Sequence, residues 1–301
     1  MNRIVILTLT YNRPENLKHL FETLQQQSDK DFIWMIVDDG SPQDLQPLIS
    51  EMKSKAEYRI DYYRKENGGK SAAINFALDR LNADDFVLII DDDEFLYPDA
   101  IEKAKKKMAE YEDSDVGLIN FNRYDKDGKI LAKPYIAEDF RMSLQEHSKL
   151  GYYAGGYVGY YMSKIGRKRF PIYEGEKYIA PSVLMMLVGQ SSSILWSPVA
   201  LGYTEFLEGG LTMRGRKLRL VSPRSMATHS LLVLSGDCGI KNRLNSSILY
   251  YAYLHYQRID EFEFSQCKKN IFLSFVTKPV GILLSKCWYN KYKKSCQNSR
   301  A

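Results

Sequence analysis

Four consecutive acids, Asp91-Asp92-Asp93-Glu94, follow the apolar run Phe86 to Ile90. Carboxylates set this closely at the end of a buried strand are costly unless a cation or fixed hydrogen-bond donors neutralise them. Oxygen ligands alone favour a hard divalent ion, Mg2+ or Mn2+, and these ions keep coordination positions for water and for phosphate oxygens of a nucleotide. The same acids would also suit the N-cap and first turn of a helix beginning near Pro98, where the helix dipole favours negative charge. On these four residues alone, both readings stand.

The elements before this cluster place other polar residues in the same way. Ile4 to Thr10 reads as a strand ending at Thr10-Tyr11-Asn12, and Pro14 then opens a helix with Leu17, Leu20, Phe21 and Leu24 at helical spacing. Phe32 to Val37 is a second strand, stopped by Asp38-Asp39-Gly40-Ser41-Pro42. Tyr58 to Tyr63 is a third, followed by the turn Asn67-Gly68-Gly69-Lys70 and a helix from Ser71 to Leu81. Phe86 to Ile90, continuously apolar, is the fourth and predicts burial on both faces. This alternation predicts an α/β fold with a mostly parallel central sheet. In such sheets ligands bind at the carboxyl edge of the strands, so four separate loops point at one crevice.

Further along, Ala100 to Tyr111 reads as a lysine-rich helix, Val116 to Phe121 as a strand, and Asp125 to Lys129 as a hairpin turn. Residues 150 to 215 are rich in glycine and aromatics and predict loops that wrap a substrate. Leu244 to Tyr256 and Ile271 to Tyr292 read as helices, the second interrupted by Lys278-Pro279 and Lys286 and so too short an apolar run for a membrane span. The expected organisation is a catalytic domain over 1–220, with a nucleotide-binding part over 1–97 and an acceptor-binding part over 98–220, then a helical extension over 221–301.

Charge is distributed unevenly along the 301 residues: 241–301 hold eleven Lys/Arg against three acids, or +8, and the total of +5 leaves the first 240 residues at −3. A basic C-terminal part suits an anionic partner, either a membrane surface or a phosphate-bearing molecule. No nucleic-acid-binding motif or dense basic stripe accompanies it, so nucleic acid is not an expected partner. Cys238, Cys267, Cys287 and Cys296 match neither a zinc site nor a disulfide framework. Met1-Asn2-Arg3 runs directly into Ile4-Val5-Ile6-Leu7, with nothing resembling a signal peptide, and the expected location is cytoplasmic, peripheral on the inner face of the cell membrane.

Four motifs, Thr8-Leu9-Thr10-Tyr11-Asn12-Arg13, Ile36-Val37-Asp38-Asp39-Gly40-Ser41, Asn67-Gly68-Gly69-Lys70-Ser71-Ala72-Ala73-Ile74-Asn75 and Ile89-Ile90-Asp91-Asp92-Asp93-Glu94, resemble in order and spacing those of family-2 inverting glycosyltransferases with the GT-A fold. The resemblance covers the first hundred residues and loosens beyond about 120. It implies a nucleotide-sugar donor, usually UDP-linked, with Thr10, Tyr11 and Asp39 at the nucleobase and Asp38, Asn12, Arg13 and Asn67 beside them. Lys70 would lie near the nucleotide or its diphosphate. The family's DXD element maps to Asp91 and Asp93, with Asp93 as the metal ligand, Asp91 nearer the ribose or a metal-bound water, and Asp92 between them.

Inverting transfer also needs a base opposite the leaving group. Tyr173-Glu174-Gly175-Glu176-Lys177-Tyr178 stands where the family carries its acidic base motif; Glu176 is the first choice and Glu174 the second, although Lys177 takes the place of the usual aspartate. Tyr203 to Thr212, followed by Arg214, Arg216 and Lys217, resembles a lid whose basic residues clamp the diphosphate. His229 would complete the metal site, as a histidine does in some relatives. The expected acceptor is a glycan or a lipid-linked molecule. A nucleotidyltransferase would need a glycine-rich phosphate loop after the first strand, where Thr10-Tyr11-Asn12-Arg13-Pro14 stands instead. A non-catalytic nucleotide-sugar-binding protein is kept open by Lys177.

Overall fold

A computed structural model describes residues 3–131, 137–150, 156–204, 211–235, 239–262, 264 and 271–297. The elements run β1 (Arg3–Thr10), α1 (Pro14–Gln25), β2 (Ile33–Asp38), α2 (Gln46–Lys55), β3 (Arg59–Arg64), α3 (Lys70–Leu78), β4 (Asp85–Ile89), β5 (Glu94–Leu96), α4 (Ala100–Tyr111) and β6 (Val116–Asp125). They continue with β7 (Phe140–Met142), α5 (Leu144–Leu150), β8 (Tyr157–Tyr161), α6 (Met162–Ile165), α7 (Ser182–Gly189), β9 (Ser193–Thr204), α8 (Leu211–Leu220), α9 (Pro223–Ser235), α10 (Gly239–Gln257) and α11 (Ile271–Gln297).

The chain divides into two units. The first comprises 1–143, 152–168 and 188–207, and the second 144–151, 169–187 and 208–301. The second unit therefore takes residues 169–187, and with them Glu174 and Glu176, out of the stretch expected to belong to the catalytic domain.

The first unit is built on a nine-stranded sheet in the order β3-β2-β1-β4-β8-β6-β9-β5, with β7 paired to β9. β1 pairs in parallel with β2 and β4, and β2 with β3, so the expected four-strand parallel core forms. Beyond it the sheet is mixed: β8 is antiparallel to β4 and β6, whereas β6 and β9 are parallel. Ile4, Val5, Ile6 and Leu7 are wholly buried because helices cover both faces. Leu17, Leu20 and Leu24 bring α1 onto the face holding Ile4, Ile6, Trp34 and Ile36. α3 packs against β1 and β2 and buries Ala73, Ile74, Ala77 and Leu78.

The segment rich in glycine and aromatics differs from expectation. Tyr157–Tyr161 and Ser193–Thr204 are strands of the sheet and not substrate-wrapping loops. Its glycines permit tight packing: a Cβ on Gly202 would stand 1.8 Å from the Phe95 carbonyl oxygen, and one on Gly159 would stand 2.2 Å from the Phe86 ring. The expected turn at Asp125 to Lys129 is present, closed by the Asp125 N–H donating to the Lys129 carbonyl at 2.9 Å. The remaining expected loop, 205–210, lies outside the described residues.

In the second unit α10 and α11 form the main helical pair. α11 continues through Pro279 without a break in its range and reaches Gln297, past the expected end at Tyr292. No helix among the described residues is long and apolar enough to cross a membrane.

Candidate active site

The parallel ladder extends beyond the strands and draws their carboxyl ends together. Asp39 N–H donates to the Thr10 carbonyl at 2.9 Å, Lys65 N–H to the Asp38 carbonyl at 3.0 Å, and Ile90 N–H to the Leu7 carbonyl at 3.0 Å. Asp38, Asp39, Lys65 and Asp91 to Glu94 thereby meet at the edge where open α/β sheets hold ligands.

Asp38 and Asp39 serve different ends. Asp38 is fully buried; one of its oxygens accepts from the Ser41 N–H at 2.8 Å and the Ser41 hydroxyl at 2.6 Å, and the other accepts from the Tyr62 hydroxyl at 3.0 Å. The Ser41 hydroxyl oxygen in turn accepts the Asn12 N–H at 2.8 Å, holding the β1 loop where Asn12 has φ +56°. Asp39 accepts from Lys65 Nζ at 2.8 Å, the Gly68 N–H at 3.0 Å and the Gly69 N–H at 2.7 Å. A carboxylate has about four acceptor positions, so one on Asp39 stays free. Asn67 Nδ2 donates to the Asp39 carbonyl at 2.8 Å, completing the turn. Gly40 has φ +80°, and a Cβ there would stand 2.8 Å from the Asn67 nitrogen, which explains the glycine after the two acids. Tyr11 is 49% exposed at this edge and presents an aromatic face to solvent.

The acid cluster is partly neutralised from within. Lys70 Nζ donates to both Asp91 oxygens at 2.5 and 2.6 Å. Burial opposes ionisation of both groups, yet their mutual attraction wins, holding Asp91 below the usual carboxylate range and Lys70 above the usual amine range. Asp92 accepts from the Thr10 hydroxyl at 2.8 Å and from Arg13 Nη1 at 2.9 Å. Burial nevertheless pushes Asp92 up to about 6. Glu94 is buried against Arg123 and accepts the Asp91 N–H at 2.9 Å, and burial with the neighbouring Asp91 charge raises it to about 8.

Asp93 differs from its neighbours. Arg13 stands 3.7 Å from its carboxylate, and the Asp93 side chain is one-quarter exposed. Burial, then the charge of Asp91, raises its affinity for a proton. Asp91, Asp92 and Glu94 each have a cation in direct contact, in Lys70, Arg13 and Arg123, whereas Asp93 has the more distant Arg13 that Asp92 already engages. An oxygen donor short of positive charge, open to solvent and beside a nucleotide-sized edge, fits a hard divalent cation. Among the described residues no three His, Cys, Asp or Glu side chains form a ready metal cage. Phosphate oxygens and water would have to complete the set.

The other expected site residues lie in the second unit. Glu176 accepts the N–H groups of Arg224 and Ser225, both at 2.8 Å, and so caps the first turn of α9 with its negative charge. Glu174 is exposed. His229 lies on α9, where burial and then Arg219 lower it to about 4, which keeps the ring neutral. Arg214 is on α8, with its side chain outside the described residues. Two residues of the first unit escaped the sequence: Lys65, whose signal was a basic residue at the end of β3, and Arg123, which gives no local signal because its partner lies 29 positions away.

The family model described as Glycosyl transferase family 2 matches residues 5–166, more than half of the chain. The chain belongs to this family. Glycosyltransferase GlyA of Streptococcus pneumoniae is 28% identical over 125 residues, covering 42% of this chain and 18% of that protein. Succinoglycan biosynthesis protein ExoW of Rhizobium meliloti is 28% identical over 109 residues, covering 36% of this chain and 34% of that one. The chain thus spans well under half the length of these curated relatives. Among solved structures, S. aureus TarS 1–349 in complex with UDP-GlcNAc superposes with a TM-score of 0.63 at 17% identity, over 85% of this chain and 73% of that one. The mannosyltransferase PcManGT of Pyrobaculum calidifontis, in complex with GDP-Man and Mn2+, gives 0.53 at 15% identity, over 97% and 75%. These likenesses establish the GT-A fold for this family member.

Proposed function

We propose that this chain is a glycosyltransferase that moves a sugar from a UDP-linked donor to a hydroxyl acceptor with inversion, in the synthesis of a cell-surface polysaccharide or glycoconjugate. The observation that carries the reading is the undercompensated Asp93 carboxylate at the edge where Thr10, Asp39 and Asp91 converge. The UDP-GlcNAc complex of one structural neighbour and the GDP-Man and Mn2+ complex of another support a nucleotide-sugar and a divalent ion in that place.

In this reading the free acceptor position on Asp39 receives a ring N–H of the base, and the exposed Tyr11 stacks on it. Asp93, with Asp91, would hold Mn2+ or Mg2+, and the ion would supply Lewis-acid stabilisation of the negative charge developing on the nucleoside diphosphate. Lys70 and Arg13 contribute by exchanging part of their contact with Asp91 and Asp92 for diphosphate oxygens. Glu94, fixed by Arg123, ties down the Asp91 N–H and keeps the turn of the acid cluster in shape. Glu176 takes the acceptor proton as base, each of its oxygens retaining a lone pair beyond its peptide contact, with Glu174 as the alternative. His229 is a further metal ligand, Arg214 a diphosphate contact, and the acceptor a glycan or lipid-linked alcohol.

A thermal-stability panel of nucleotide-sugars with and without Mn2+ tests the reading. Selective stabilisation by a UDP-sugar that depends on the metal is the expected result. Equal response to all nucleotides, or none to any, would reject it.

A further inference from the structure

One helix of the second unit, α11, exposes an apolar surface that the transferase reading does not use. The Ser247 hydroxyl meets that of Thr277 at 2.6 Å, and His255 Nδ1 meets the Ser285 hydroxyl at 2.7 Å. Each pair lies eight residues further along both helices, so α10 and α11 run parallel. Gly281 permits the close contact, since a Cβ there would stand 2.7 Å from both the Ile248 carbonyl oxygen and the Tyr251 Cβ. Thr277, Gly281, Ser285 and Trp288 form the buried side of α11.

The opposite side is apolar and open. Phe275 is 82% exposed, Leu283 64% and Val276 51%, with Val280 and Cys287 beside them at helical spacing. On α10, Ile240 and Leu244 are also exposed, but they lie on the side of that helix that carries Ser247 and Tyr251 towards α11, so the open apolar face belongs to α11. Single exposed apolar side chains are ordinary, but five along one face of a helix mark a contact surface.

Charge selects its occupant. α10 and α11 together contain Lys241, Arg243, Lys278, Lys286, Lys291, Lys293 and Lys294 and not one Asp or Glu. Among these, Lys278 is engaged with Glu261 at 2.7 Å. Pairing the face with a second copy of itself would bring two lysine-rich surfaces together, which like-charge repulsion disfavours. A lipid surface satisfies both features at once, since apolar side chains enter the acyl boundary while lysine stems extend to anionic headgroups.

We propose that the outer face of α11 binds an anionic membrane surface in the plane of the leaflet. The proposal stands independently of the transferase reading, because it concerns other residues and another ligand. The full chain is sedimented with vesicles of phosphatidylcholine alone and of phosphatidylcholine with phosphatidylglycerol. Expected is binding to the anionic vesicles that weakens in high salt, and a loss of at least about tenfold in Phe275→Glu/Leu283→Glu. Both positions are exposed, so the variant is expected to keep the wild-type unfolding temperature and response to nucleotide. No binding by wild type to anionic vesicles, or equal binding by the variant, would overturn the proposal. So would a concentration-dependent dimer that the variant abolishes, because the face would then belong to a second copy.

Discussion

Asp39→Asn tests how this sheet edge is held in shape. The carboxylate is 5% exposed and accepts from Lys65, Gly68 N–H and Gly69 N–H. Asparagine keeps one acceptor oxygen, which can retain the Lys65 and Gly68 contacts, but sets an NH2 against the Gly69 N–H. Leaving one peptide donor without a partner costs about 1–3 kcal/mol, and loss of the charge weakens the two remaining bonds by about 1 kcal/mol together. A total of about 2–4 kcal/mol is a large share of ordinary stability yet leaves the protein folded. In a chain of this size it lowers the unfolding temperature by about 3–6 °C. Calorimetric titration with UDP should show affinity reduced by about tenfold or more, since the same substitution removes the acceptor for the base and loosens Gly68-Gly69 before Lys70. A variant with wild-type melting and wild-type UDP affinity would refute the arrangement.

Other consequences follow from single features. Gly40→Ala places a Cβ 2.8 Å from the Asn67 nitrogen at φ +80°, and should cost about 1–3 kcal/mol by urea unfolding with loss of UDP binding. Glu176→Ala removes two N–H contacts at the start of α9 and should cost about 1–2 kcal/mol, whereas Glu174→Ala, an exposed site, should stay within about 0.5 kcal/mol. If Glu176 is the base, Glu176→Gln lowers kcat by about 100-fold or more with KM preserved, and Glu174→Gln does not. For His229 the folded value of about 4 lies below the ordinary 6.5, so the unfolded chain takes up the proton first. The neutral ring's contribution, up to about 3 kcal/mol, is intact above pH 6.5 and is lost as pH falls towards 4. Urea midpoints measured across that window should fall less steeply in His229→Phe.

The first four strands were legible because each is a short apolar run ending in polar residues, and a buried parallel sheet needs little else to announce itself. α2 was missed because Gln46–Lys55 buries only Ile49 and Met52, too few positions to fix a period. Beyond residue 120 the pairing is long-range. β9 contains Pro198, the β6–β9 register shifts around Phe121 to Arg123, and Gly159 and Gly202 look like loop residues although they serve close packing. At the site, the acids were visible as a run and Arg13 and Lys70 within their motifs, but Lys65, Arg123 and the pairing of each cation with its acid were not. Arg13, Lys65, Lys70 and Arg123 reach their partners across 21 to 79 positions, and only the fold brings them together. Glu176 stands out through the resemblance to the family's acidic motif, and its two peptide contacts on α9, some 50 residues later, have no signature in the sequence.

In the proposed function Asp93 is the carboxylate left for a divalent cation. The direct measurement is Mn2+ affinity by calorimetry in the presence of UDP, taken with turnover of a UDP-sugar, for wild type and Asp93→Asn. The account predicts that the substitution weakens metal binding by at least about 100-fold and reduces turnover in parallel, with the fold intact. Unchanged Mn2+ affinity and unchanged turnover in Asp93→Asn would contradict it.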